Sequence, residues 1–182
     1  MYIAVLYPPN NADTAFLRIK RELFQEKSLL SAWALRPMVP FAVYSEPPEK
    51  PERGELPRVP SGGLHFGPAA RLGDQLYLES DECSDFCALI TRLPTFASKP
   101  RIDDQAAGGF RAGSGLHLMD LRERGSDDAE EVVMNKIEAL DDSVSLWQTC
   151  SLCLLKARFS DELWWKEVSL EQLWEIRLQR CR

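Results

Sequence analysis

The chain has few histidines and no excess of positive charge. Its 182 residues include two histidines, His65 and His117, and the formal net charge is −6. Proteins that bind duplex DNA generally need a basic face, so we expect no duplex DNA partner, although an acidic shell does not exclude a small basic pocket. Two imidazoles are too few for a metal site unless carboxylates join them. The sequence therefore predicts neither a bound metal nor a cofactor.

Long apolar runs and a regular cysteine pattern are also absent. No apolar run approaches the roughly 20 residues of a membrane helix. The short apolar run at the N-terminus is not preceded by the basic segment that is typical of a signal peptide. The five cysteines form no disulfide framework. Cys150 and Cys153 have redox or zinc spacing, but residues three apart on a strand point to opposite faces. We predict reduced core thiols in a cytoplasmic protein without a membrane partner.

The hydrophobic pattern that is present predicts a single α+β domain over residues 1–182. Short apolar runs interleave with amphipathic stretches, and many strand links have hairpin lengths, which favours a mainly antiparallel sheet over a doubly wound parallel one. The predicted elements are a strand at 2–7, a helix to about 27, a strand at 39–44, a hairpin of 63–70 and 75–79, a helix from 80 or 81 to 93, a strand at 114–121, a helix from 126, a strand at 144–158, a hairpin strand at 163–170 and a short closing helix from 171.

Residues 45–60 interrupt this pattern with five prolines among alternating charges. Proline removes a backbone donor and disfavours helix, so we predict an exposed loop with nothing to bury. A plain surface excursion is the favoured interpretation. The alternative is a lid or a site for a protein partner.

The strand at 114–121 reads Ser-Gly-Leu-His-Leu-Met-Asp-Leu and carries His117. Glycines at 108, 109, 113 and 115 precede or open it, which indicates a loop running into the strand. Such a loop can cradle a phosphate with its N–H groups and with Arg111, but phosphate loops usually lead into a helix. A flexible connection is therefore the favoured interpretation of this loop. His117 itself is either an acid–base group or an ordinary partly buried histidine.

The order of elements resembles the 2H phosphoesterase superfamily, which includes 2′-5′ RNA ligase-like proteins and cyclic nucleotide phosphodiesterases. The opening strand and amphipathic helix, the His117 strand, and the run Leu-Cys-Leu-Leu-Lys-Ala-Arg at 152–158 carry this resemblance. It implies two pseudo-symmetric lobes with mainly antiparallel sheets around a central cleft and helices outside. It also implies one histidine and one hydroxyl residue from each lobe, because ring opening of a cyclic phosphate needs a general acid, a general base and charge stabilisation.

The chain departs from this pattern at three of the four motif positions. The first motif falls near 36–41, which reads Arg-Pro-Met-Val-Pro-Phe, without histidine or hydroxyl. The second keeps His117 but has Met119 in place of the hydroxyl residue, and a thioether donates no hydrogen bond. Arg36, Lys156 and Arg111 remain as candidate ligands for a phosphate.

Two hypotheses follow from this departure. In the favoured hypothesis, the domain has lost paired-histidine catalysis and acts as a binding or scaffold protein. Its expected partner is a nucleotide or a single-stranded RNA end. In the alternative, it is an active 2′,3′-cyclic phosphodiesterase whose rearranged site uses His117 and His65. The spatial relation of the two imidazoles discriminates between them.

Overall fold

The computed structural model of the protein describes residues 1–102, 110–113, 115–124, 129–140, 142–159 and 163–180. Helices and short antiparallel strands alternate along the chain. Their bounds are β1 (Tyr2–Tyr7), α1 (Asn10–Lys27), α2 (Leu30–Ala34), β2 (Val39–Tyr44), β3 (Leu64–His65), β4 (Ala69–Leu72), β5 (Gln75–Leu78), α3 (Asp81–Thr91), α4 (Pro94–Ala97), β6 (Leu116–Asp120), α5 (Ala129–Glu138), α6 (Asp142–Ser145), β7 (Leu146–Trp147), β8 (Cys150–Phe159) and β9 (Val168–Leu178).

The larger sheet has the strand order β2-β1-β8-β9, and its neighbouring strands are antiparallel. Its apolar side chains alternate between two core clusters: Ala4 and Leu6 join one, and Ile3 and Val5 join the other. Both faces of β1 are therefore buried, which explains why its sequence is a continuous apolar run rather than an alternating one.

A second antiparallel sheet, β4-β5-β6, carries the histidine strand. Its β4-β5 hairpin turns at Gly73 and Asp74, within the predicted 63–79 hairpin, and Gly73 adopts a positive φ of 59° that favours glycine. The predicted first strand at 63–70 is wrong, because β3 and β4 are separate strands and β3 pairs with β7. The other edge of β6 lies beside β2, because the His117 N–H donates to the Met38 carbonyl at 3.0 Å. The Gly113 N–H likewise donates to the Pro40 carbonyl at 2.6 Å.

The predicted fold class is confirmed at its coarser level: the protein is a mixed α+β structure with antiparallel sheets. The α3 helix begins where expected, with the Ser80 hydroxyl accepting from the Cys83 N–H at 3.0 Å. Leu89 of this helix is 51% exposed. No helix in the described ranges is long and apolar enough to cross a bilayer.

The C-terminal third differs from the predicted order. Residues 144–158 do not form one strand, because α6 and β7 precede β8. The segment from 171 is the strand β9 rather than a closing helix, since its ladder follows β8 over the whole of that strand. Leu173, Trp174 and Leu178 imitate helical spacing, but Ile176 and Leu178 are buried with exposed residues between and beside them, which is the period of a strand.

The 45–60 segment contains no helix or strand, as predicted, but it is not without a buried side. Most of its side chains are exposed, whereas Pro48, Pro51, Leu56 and Val59 are buried. The expectation that this loop has nothing to bury is therefore wrong. Leu56 and Val59 belong to the larger core cluster, and the Trp174 indole N–H of β9 donates to the Pro48 carbonyl at 3.4 Å.

Candidate functional site

His117 lies in the interior of the protein, with no solvent-exposed surface. Its ring packs against Tyr77, Phe110 and Trp164, with centroid distances of 5.2, 5.9 and 5.3 Å. Both ring nitrogens lack a hydrogen-bond partner among the described residues. Burial and the nearby positive charge of Lys20 lower the pKa of His117 well below 6.5. The imidazole is therefore neutral at physiological pH and is enclosed by aromatic rings.

Lys20 is a buried cation beneath the same strand. Its ammonium group donates to the main-chain carbonyls of Leu118 at 2.7 Å and His117 at 3.2 Å. The side chain is 1% exposed, and burial lowers its pKa from 10.5 to about 7. Lys20 was not identified from the sequence as a buried residue. The signal that identifies it is position: Lys20 follows Phe16 by four residues and precedes Leu23 by three, on the inner face of α1.

Asp120 is the last residue of β6 and lies at the centre of a second cluster of hydrogen-bonded polar groups. Its carboxylate accepts from the Arg122 guanidinium at 3.0 and 2.8 Å and from the Trp164 indole N–H at 2.8 Å. The Asp120 N–H donates to the Ser31 hydroxyl at 3.0 Å. These contacts fix the turn after β6 to the 164–166 turn. Trp164 and its neighbour Trp165 are both buried.

His65 is exposed on β3, which pairs with β7 in a separate two-stranded sheet. His117 belongs to the β4-β5-β6 sheet and is fully covered. A cavity of about 200 Å³ reaches Tyr77 and Gly115, the neighbours of His117, but not either histidine. The geometry thus gives the two imidazoles no common opening to solvent.

Arg36 and Lys156, proposed as phosphate ligands, lie at opposite ends of β1. The Arg36 guanidinium stacks over the Tyr7 ring at 4.1 Å and pairs with Asp13 at 3.2 Å. Lys156 is opposite Tyr2 in the sheet and lies 4.0 Å from Glu171. Tyr7 follows Tyr2 by five positions along the strand, which is about 16 Å. The two cations therefore do not converge on one phosphate.

Arg111 follows the glycines at 108 and 109, which with Ser114 lie outside the described residues. In the part that is described, the Arg111 N–H donates to Gln75 Oε1 at 3.2 Å and the Gly113 N–H is bonded to Pro40. These two N–H groups are therefore occupied and do not point at a ligand. The predicted cap at Ser126 also lies outside the described residues.

The cysteines in the described part of the chain are buried and form no disulfide bonds; they are Cys83, Cys87, Cys150 and Cys153. Cys150 and Cys153 lie in different core clusters, on opposite faces of β8, as predicted. Burial raises the pKa of both thiols above the ordinary value, so they are unreactive at neutral pH. No group of three or more metal-ligating side chains occurs in the described part of the chain.

Comparison with known proteins adds no family assignment: neither the family models nor the curated proteins searched contain a match to this chain.

Proposed function

We propose that this protein is a 2H phosphoesterase-like domain that has lost paired-histidine catalysis. It acts as a binding or scaffold protein, with a nucleotide or an RNA phosphate as its ligand. The proposed architecture is two lobes, one around the β2-β1-β8-β9 sheet and one around the β4-β5-β6 sheet. The β2 and β6 strands, where the two histidine motifs are expected, are neighbours.

The burial of His117 is the observation that carries the proposal. A general acid or base must reach the proton it transfers, and its pKa should lie near the working pH. His117 has no exposed surface, and its pKa is far below that range. The hydroxyl position is filled by Met119, which is also fully buried in the core. These features support a histidine retained for packing rather than for proton transfer.

We predict that the purified protein hydrolyses 2′,3′-cyclic nucleotides little or not at all. A positioned general acid or base is typically worth about 10²–10⁴-fold each, and one oxyanion-type donor about 3–4 kcal/mol. With one histidine of the pair buried and neither hydroxyl present, the ring stays closed. The measurement is product formation from a 2′,3′-cyclic nucleotide over several hours.

The controls are His65→Ala, His117→Ala and His117→Phe, which fills the space of the buried imidazole better than alanine does. We expect all of them to match the trace rate of the unmodified protein. Rapid turnover that disappears in the His65 and His117 variants, while they stay folded, would show that the alternative rearranged site is correct.

A further inference from the structure

The second half of the 45–60 loop and the end of β9 enclose an arginine-lined cavity of about 660 Å³. Arg53 and Arg58 come from the loop, and Arg177 and Arg180 come from the strand and the residues after it. A second cavity of about 430 Å³ shares Arg53 and Arg177 and adds Lys50. We refer to the site defined by these four arginines as the arginine groove.

Main-chain contacts connect the two sides of the groove. The Val59 N–H donates to the Gln179 carbonyl at 3.1 Å, and Val59 forms a β-bridge with Arg180. Leu56 and Val59 are buried below the exposed arginines. A site fixed in this way does not have to order its loop when it binds, which lowers the cost of binding.

Carboxylates lie near the groove, Glu175 in the wall of the second cavity and Glu55 in the loop, but neither forms an ion pair with its arginines. Arg36 and Arg122 have acidic partners, but no arginine of the groove forms a salt bridge with a described residue. The nearby Glu55 carboxylate instead accepts from the Glu52 N–H at 3.0 Å. In a chain with a net charge of −6, the groove concentrates positive charge on one concave surface, which attracts anions.

The lining residues indicate the chemistry of the anion. Guanidinium groups match the oxygens of phosphate in a two-pronged geometry. Among the described residues, the cavity wall contains no aromatic side chain. Aromatic side chains usually hold single-stranded nucleic acids by stacking on their bases. A volume of about 660 Å³ suits a small ligand. Recognition should therefore depend on phosphate groups and not on a base.

We propose that the arginine groove binds a compact anion that carries several linked phosphate groups. Free polyphosphate and the triphosphate of a nucleotide share this chemistry. The site is separate from His117, and it goes beyond the proposed function by assigning phosphate binding to the loop and β9. The cyclic phosphodiesterase assay and the test below therefore succeed or fail independently.

The test is calorimetric titration of the full chain with inorganic tripolyphosphate. We expect one site per chain, weaker binding of orthophosphate, and a loss of affinity as salt is raised, because exposed charges are screened. A nucleoside triphosphate is the second arm and should bind within a few-fold of tripolyphosphate. Much tighter nucleotide binding would overturn the claim that the base is not recognised.

Variants locate the site on the surface. Arg53→Gln combined with Arg177→Gln removes the two side chains shared by both cavities and should weaken binding at least tenfold. Arg58→Gln with Arg180→Gln should weaken it by about the same factor, because each double variant removes two guanidinium groups that can donate to phosphate oxygens. The matched control, Arg21→Gln with Arg92→Gln, changes the net charge equally at exposed positions on α1 and at the end of α3. It should bind within twofold of the unmodified protein.

Thermal unfolding of each variant separates lost binding from lost folding. Absence of tripolyphosphate binding would overturn the proposal, and so would equal weakening in the control pair. Tighter binding of an acidic peptide than of tripolyphosphate would assign the groove to a protein partner and would also overturn it.

Discussion

Replacement of Asp120 by alanine is expected to lower the free energy of unfolding by about 1–3 kcal/mol, the usual cost of leaving a buried hydrogen-bonding group without its partner. The Asp120 side chain has no exposed surface. It accepts from the Arg122 guanidinium, the Arg122 N–H and the Trp164 indole. Alanine would leave the buried indole N–H without an acceptor. Such a loss is a large share of the 5–15 kcal/mol that typically stabilises a domain.

Denaturant unfolding of the variant and the unmodified protein measures this loss. Asp120→Asn keeps the shape and one acceptor oxygen, so it should cost less than alanine. Asp85→Ala, at an exposed position on α3, is the control and should change stability by no more than about 0.5 kcal/mol. An Asp120→Ala protein as stable as this control would contradict the buried network.

Lys20 is expected to make stability rise with pH above neutrality. Its pKa is 10.5 in its ordinary state and about 7 when folded. Between these values the unfolded chain holds a proton that the folded chain has released, so the free energy of unfolding rises by about 1.4 kcal/mol per pH unit. Below pH 7 both states are protonated and the full burial cost, about 5 kcal/mol, is present. Lys20→Met removes this dependence.

The measurement compares unfolding of the two proteins at pH values between 7 and 9.5. The buried thiols, whose raised pKa values lower stability at high pH, contribute equally to both proteins and cancel in the difference. Stability of the unmodified protein relative to Lys20→Met should increase by about 3 kcal/mol over two pH units. The control Lys166→Met, at an exposed position, should show the same dependence of stability on pH as the unmodified protein. A pH-independent difference would show that Lys20 is not buried and neutralised in the folded protein.

Local signals predicted much of the fold. The apolar runs of β1 and β2, the inner face of α1, the Ser80 cap of α3 and the Gly73 hairpin depend on residues close together in the chain, and each is found. The C-terminal third was harder to predict from the sequence, because β9 is a strand only through its pairing with β8. A strand paired to a long neighbour can carry the spacing of an amphipathic helix.

The candidate site was less predictable than the fold. The histidine strand was located, but its alternating pattern does not show that both of its faces are covered. That cover comes from distant residues: Phe110 and Trp164 on one side of His117, and Lys20 under its carbonyl. Lys20 could have been found from its helical position alone. The convergence of Arg53 and Arg177 required the folded loop.

The state of the His117 imidazole tests the central claim most directly. His65→Gln leaves His117 as the only histidine, so its ring C–H resonance can be followed by NMR without ambiguity. The account predicts that this resonance keeps its neutral position as the pH falls from 8 through 6.5, because burial and the charge of Lys20 lower the pKa of the ring well below 6.5. A titration with a midpoint near 6.5 would show that the imidazole reaches water, and it would contradict a histidine retained only for packing.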